Sequence, residues 1–194
     1  MPPMDAGVYF AVCVGIVDIG HQYSEKYKKS SPKVILIFEI PSERIEIDGE
    51  NKPRWISGTY TNSLSKKAKL TESLIAWRGR NFTDPELENF DLSAMIGQPA
   101  TVQVVQNENN GAVYANIAGI TGLPKGVPVP TAENEFLVYD IDDPDDAVFE
   151  KLPEWIRDRI KASDEYSDSH TAEELLDIDT ETGEVLTESG AVPF

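Results

Sequence analysis

The 194-residue chain carries 34 Asp and Glu against 17 Lys and Arg, a formal net charge of −17, and has one cysteine and two histidines. A lone Cys13 excludes an internal disulfide and fits a reducing compartment. No stretch approaches the roughly 18 apolar residues of a membrane-spanning helix. MPPMDAG lacks the basic, apolar character of a leader, so a cytoplasmic protein without membrane contact is expected.

The first strand is expected over Gly7 to Gly20, GVYFAVCVGIVDIG, which is rich in β-branched and aromatic residues, with Gly15 as a bend or bulge. Cys13, inside this run, reads as a small buried hydrophobe. HQYSEKYKKSSP is polar and closes on Ser-Pro, so it reads as a loop. Lys33 to Ile40, KVILIFEI, is a second strand; a polar turn containing DGENKP leads to a third, Arg54 to Thr61.

The period then changes. Leu70, Leu74 and Trp77 fall at i, i+4 and i+7, which predicts a helix capped by Ser63 or Ser65 and stopped at Gly79. A shorter helix follows, with Thr83 or Asp84 as its cap and Pro85 at its first position. ATVQVVQN and AVYANIAGI form a hairpin around Asn110-Gly111. TGLPKGVPVPTAEN reads as a linker, EFLVYDI as an added edge strand, and LPEWIRDRIKASDEY as a short amphipathic helix docking back on the body. Residues 162–194 hold ten acids and no Lys or Arg, the composition of a disordered tail.

Three strands, a helix and two strands is the layout of a five-stranded OB-fold barrel, mainly β, although other small barrels and α+β sheets share this string. The expected organisation is an OB-fold domain over 1–130, a linker with edge strand and short helix over 131–161, and a disordered acidic tail over 162–194.

Charge separates these regions. Residues 1–130 hold 13 Lys and Arg against 14 Asp and Glu, whereas 131–194 hold 4 against 20. A global excess of acid therefore does not exclude a nucleic-acid partner for the first two-thirds.

Enzyme chemistry finds little support. His21 and His170 sit in a loop and in the tail, one cysteine makes neither a zinc site nor a Cys/His pair, and GITGLPKG lacks the phosphate-loop spacing. Asp177, Asp179, Glu181 and Glu188 match four positions of a calcium loop, but its required glycine is Thr182. No catalytic residue, metal or cofactor is expected.

The basic groups are more informative. Lys26, Lys28, Lys29 and Lys33 are interleaved with Tyr23 and Tyr27. Lys66, Lys67, Lys69, Arg78 and Arg80 surround the helix against the single acid Glu72, and the third strand opens on Arg54-Trp55 and reaches Tyr60. Cations that track phosphates, mixed with rings that stack on bases, are what single-strand binding requires. The plain reading also applies: helix lysines usually form a solvated face, Trp77 at helical spacing is core, and Trp55 and Tyr60 lie on opposite strand faces, so at least one is buried.

The chain stops at GAVPF. A neutral-to-basic barrel followed by an anionic tail with an apolar tip resembles single-stranded DNA-binding proteins of bacterial and phage replication. In that family the tip, acidic residues then Ile-Pro-Phe, docks into partner pockets. Here Val192, Pro193 and Phe194 follow Gly190-Ala191 rather than a run of aspartates. YTNSLSKKAKLTESLIAWRGRNFT, NFDLSAMIGQPATVQVV, GAVYANIAGITGLPKG and LPEWIRDRIKASDEY also resemble phage replication-module proteins, over most of residues 7–166. The resemblance implies an OB-type core that coats single-stranded DNA with little sequence preference in phage replication or recombination. It further implies a tip that recruits replication or recombination proteins, and a homo-oligomer such as a dimer. A replisome adaptor that binds no DNA is the alternative; it would have no need of the Tyr/Lys-interleaved segment.

Overall fold

The computed structural model describes residues 2–169. Strands β1 (Gly7–Ser24), β2 (Lys29–Ile47) and β3 (Glu50–Thr61) form an antiparallel meander; helices α1 (Lys69–Arg78) and α2 (Asp84–Asn89) and a 3-10 turn at Leu92–Met95 follow. Strands β4 (Pro99–Asn109) and β5 (Ala112–Thr121) make a hairpin, and β6 (Leu137–Tyr139), α3 (Asp146–Lys151) and α4 (Glu154–Lys161) follow in chain order. The sheet runs β3-β2-β1-β4-β5, all antiparallel, and β6 adds to β1 in parallel. It curls into a nearly closed barrel, the mainly β, OB-like layout expected from the strand–helix order.

The two tight hairpins close on residues with positive φ, Asp48-Gly49 at 54° and 80° and Asn110-Gly111 at 51° and 76°. Left-handed pairs of this kind match the strand twist, and Asn, Asp and Gly adopt them at least cost. Helix α1 ends at Gly79, whose φ of 73° gives the left-handed stop. Thr83 and Glu86 form a reciprocal capping box on α2, with a proline in its first turn. The expected Ser63 or Ser65 cap is absent: α1 starts after Ala68, which makes no side-chain cap, and the Ser63 hydroxyl instead accepts from the Ser65 N–H.

Residues 11–17 of β1 and 34–40 of β2 are buried almost without interruption, because both faces of these strands are covered. Ala11, Cys13, Leu36 and Phe38 point into the barrel with Leu70, Leu74 and Trp77 of α1. Val12, Val14, Ile35 and Ile37 point outward beneath Leu137, Leu152, Ile156 and Ile160. Each fully buried aliphatic side chain contributes about 1.5–3 kcal/mol, so α4 is fixed by its two isoleucines rather than by its helical propensity. The register shift between Cys13 and Gly15 is the bulge expected at Gly15. The extra residue puts Ile16 rather than Gly15 on the inner face, and a Cβ at Gly15 would lie 2.7 Å from the Ile37 side chain.

Two of the boundaries expected along the chain are corrected. The polar segment after the first strand is not a loop: β1 continues to Ser24, β2 begins at Lys29, and only 25–28 turn. Its polarity reflects a two-stranded arm with solvent on its sides, whose ladder is broken between Asp18 and His21, opposite Pro32. Residues 131–161 hold the edge strand β6, paired with β1, and helix α4, which docks Ile156 and Ile160 over β1 and β2 as a second layer. The acidic tail does not begin at Ala162. Residues 164–169 are helical, Ser163 is fully buried with its hydroxyl accepting from the Tyr166 N–H, and Tyr166 packs on the outer cluster. Composition registered the acids there and not the packing of Ser163 and Tyr166. The remaining tail, with His170, the calcium-like acids and Val192, Pro193 and Phe194, lies outside the described residues.

Candidate nucleic-acid interface

Strands β3 and β5 are the two ends of the sheet path and are not hydrogen-bonded to each other, so a slot runs between them. Helix α1 packs across it, and the Gly122 N–H donates to the Ala76 carbonyl at 3.2 Å. Over the slot lies a groove of about 910 Å³. Its floor includes Tyr60, Ala115 and Ile117, which also pack on the barrel core. Its margins carry Lys33 and Thr59 with Trp155 on one side, Lys69 from α1, and Tyr114 and Asn116 with Asn107 on the other. Among the described residues no Asp or Glu lines it. In a chain of net charge −17, an acid-free groove bearing two ammonium groups and three aromatic rings is a strong local departure from the average.

Each wall follows from its element. Lys33 pairs with Thr61 across β2 and β3, and its Nζ donates to the Thr61 hydroxyl at 2.9 Å. Lys69, in the first turn of α1, is exposed, and neither lysine forms an ion pair among the described residues. Tyr60 lies across Gly58, where a Cβ would come within 3.0 Å of its ring. Burial pushes the Tyr60 phenol up, with a hydrogen bond to Ser73 opposing the shift, so the group stays protonated at neutral pH. Tyr114 stands opposite Asn107 in the β4–β5 register and is exposed beside Val113.

The structure brings together only some of the residues expected to bind. Lys33, Tyr60 and Lys69 line the groove. Tyr23, Lys26, Tyr27, Lys28 and Lys29 sit at the end of the β1–β2 arm, four to ten residues along the chain from Lys33. Tyr23 and Tyr27 are exposed there, Lys26 Nζ lies 5.2 Å from the centre of the Tyr27 ring, and Lys28 pairs with Glu25. At about 3.3 Å per residue, Lys29 is roughly 13 Å beyond Lys33 on the same strand face.

The others are engaged elsewhere. Trp55 packs half-buried against the outer cluster, and the Arg54 guanidinium donates to the Pro2 carbonyl at 2.6 Å. Lys66 pairs with Asp84 at 2.7 Å, whereas Lys67 is exposed. Arg78 stacks 3.8 Å from the centre of the Phe82 ring and, with Arg80, binds Glu86. The Thr83 backbone N–H, with Arg80 and Arg78, pulls the Glu86 carboxyl down to about 2, so this cluster stays ionised at neutral pH. It ties α1 to α2 and is structural. Trp77 is core, as expected; its Nε1 donates to the Pro99 carbonyl at 2.7 Å.

Sequence reasoning missed Asn107, Tyr114, Asn116 and Trp155. The alternation of AVYANIAGI past an Asn-Gly turn could have marked Tyr114 and Asn116 as sharing one strand face. No local signal brings Trp155 to β3, about a hundred residues earlier. No family model matches the chain, and no curated protein matches it. Among the described residues no helix is long and apolar enough to cross a membrane, and no cluster of metal-ligating side chains is present.

Proposed function

We propose that the protein binds single-stranded DNA along the β3–β5 groove and the β1–β2 arm, in phage DNA replication or recombination. The observation that carries this reading is the acid-free groove with Lys33 and Lys69 beside Tyr60, Tyr114 and Trp155. Single strands expose both a phosphate chain and unpaired bases; ammonium groups take the first and aromatic faces the second. A duplex hides its base faces and would leave the rings without partners. Asn107 and Asn116 add amides that accept and donate in one plane, which tolerates every base. In this reading the acidic tail and its Val192–Phe194 tip serve replication or recombination partners, and the body needs no cofactor and performs no catalysis.

The test is a fluorescence-anisotropy titration of labelled oligo(dT), and of a duplex of equal length, at two salt concentrations. Four phosphate contacts, from Lys33, Lys69, Lys29 and Lys26, predict a log–log salt slope of about −3, from about −0.7 per contact on a single strand. Equal affinity for duplex, or binding insensitive to salt, refutes the reading.

A further inference from the structure

Helix α4 meets its apolar demand without Trp155. Ile156 and Ile160 are fully buried beneath the outer face of the sheet, while Trp155 is 46% exposed and lines the groove. An indole offers the largest apolar face of any side chain, and this one is presented to the groove by a helix that is packed without it. The helix is fixed at this place. The Arg159 guanidinium donates to the Thr59 hydroxyl at 3.0 Å, and Gln22 Nε2 donates to the Arg159 carbonyl at 2.8 Å. Thr59 lines the groove beside Trp155, and Lys33 is on the same side through its bond to Thr61. The acids of α4, Glu154 and Asp158, do not line it.

We propose that Trp155 is a nucleobase-stacking residue of this groove, so that the C-terminal layer completes the single-strand site. The proposal rests on the groove being the DNA site. It makes α4 a positioning element: burial of Ile156 and Ile160 and the Arg159–Thr59 contact hold an aromatic face next to the Lys33 ammonium. A base stacked on the indole then leaves its phosphate within reach of a cation. The acidic third of the chain thus contributes an attractive element to DNA binding, although its net charge repels DNA.

The experiment uses the full chain and labelled oligo(dT), read by anisotropy and by intrinsic tryptophan emission. Trp77 is buried in the inner core, Trp55 packs half-buried against the outer cluster, and neither lines the groove, so quenching on DNA addition should come from Trp155. Trp155→Phe, which keeps a stacking ring, should hold affinity within a few-fold and lose most of the quench. Trp155→Ala should weaken binding by about 5- to 150-fold, the range of one lost base stack. Quenching that persists in Trp155→Phe, or unchanged affinity in Trp155→Ala, overturns the proposal while leaving the groove reading intact. Should Trp155→Ala fail to fold, the emission readout of Trp155→Phe still decides. No oligo(dT) binding by the unaltered protein overturns both.

Discussion

Glu39 is the severest test of how the C-terminal layer is held. It points outward from β2, between Val12 of β1 and Trp55 of β3, and is fully buried. Three donors hold its charge: the Glu133 N–H at 2.7 Å on Oε1, and the Asn134 N–H at 3.0 Å and Nδ2 at 2.6 Å on Oε2. Glu39→Gln preserves the shape. Its amide oxygen can keep both Asn134 donors only by turning the NH2 group toward the Glu133 N–H, which orphans that donor at about 1–3 kcal/mol. The two remaining bonds to a neutral acceptor are weaker by about 1 kcal/mol each, and relief from burying a charge offsets part of this. The expected net loss is about 2 kcal/mol, or roughly 4–8 °C in Tm at this chain length. Thermal unfolding by circular dichroism reads the loss, and hydrogen exchange at Glu133 and Asn134 localises it. Arg44→Ala removes the neighbouring exposed pair with Glu133 and the bonds to Asn51, all at the solvent-exposed rim, and should lower Tm by less than Glu39→Gln does. A Glu39→Gln protein melting within 1 °C of the parent would refute the inner lock.

Lys33→Ala and Lys69→Ala should each weaken oligo(dT) binding and flatten the salt slope by about 0.7, whereas Arg78→Lys should lower Tm and leave the slope unchanged; slopes from titrations at several salt concentrations separate the two classes. Trp77→Ala should cost about 3–5 kcal/mol in urea unfolding, since it removes a core ring packed against Phe38 and orphans the Pro99 carbonyl. The link between His21 and Glu165, 2.5 Å from Nδ1 to Oε1, should depend on pH. The hydrogen bond that the His21 ring donates to the Glu165 carboxylate raises the His21 pKa, so its stabilisation is complete below the ordinary value of 6.5 and is lost as pH rises through the raised one. Burial pushes the Glu165 carboxyl up, but its bonds from the His21 ring and N–H outweigh this and lower it, so that part is complete above 4.5 and lost in acid. Hydrogen-exchange protection of residues 163–167 should therefore peak between about pH 4.5 and 6.5 relative to His21→Gln; equal profiles refute the link.

Local order was legible in the sequence. The strand runs of GVYFAVCVGIV and KVILIFEI, the Asn110-Gly111 turn, the stop at Gly79 and the Thr83–Pro85 helix start depend on backbone preferences within a few residues. Trp77 declared itself as core because helical periodicity puts it on one side with Leu70 and Leu74. Which cations remain for a ligand was decided only by tertiary structure. Lys33 and Lys69 meet across a groove, whereas Lys66 and Arg80, equally basic in sequence, are paired to Asp84 and Glu86. In the C-terminal third the docking of the amphipathic LPEWIRDRIK segment was legible, whereas the buried Glu39 that anchors residues 133–134 and the place of Trp155 beside β3 were decided by tertiary structure. A side chain's availability depends on which surfaces the fold brings against it, and here those surfaces come from segments up to about a hundred residues apart.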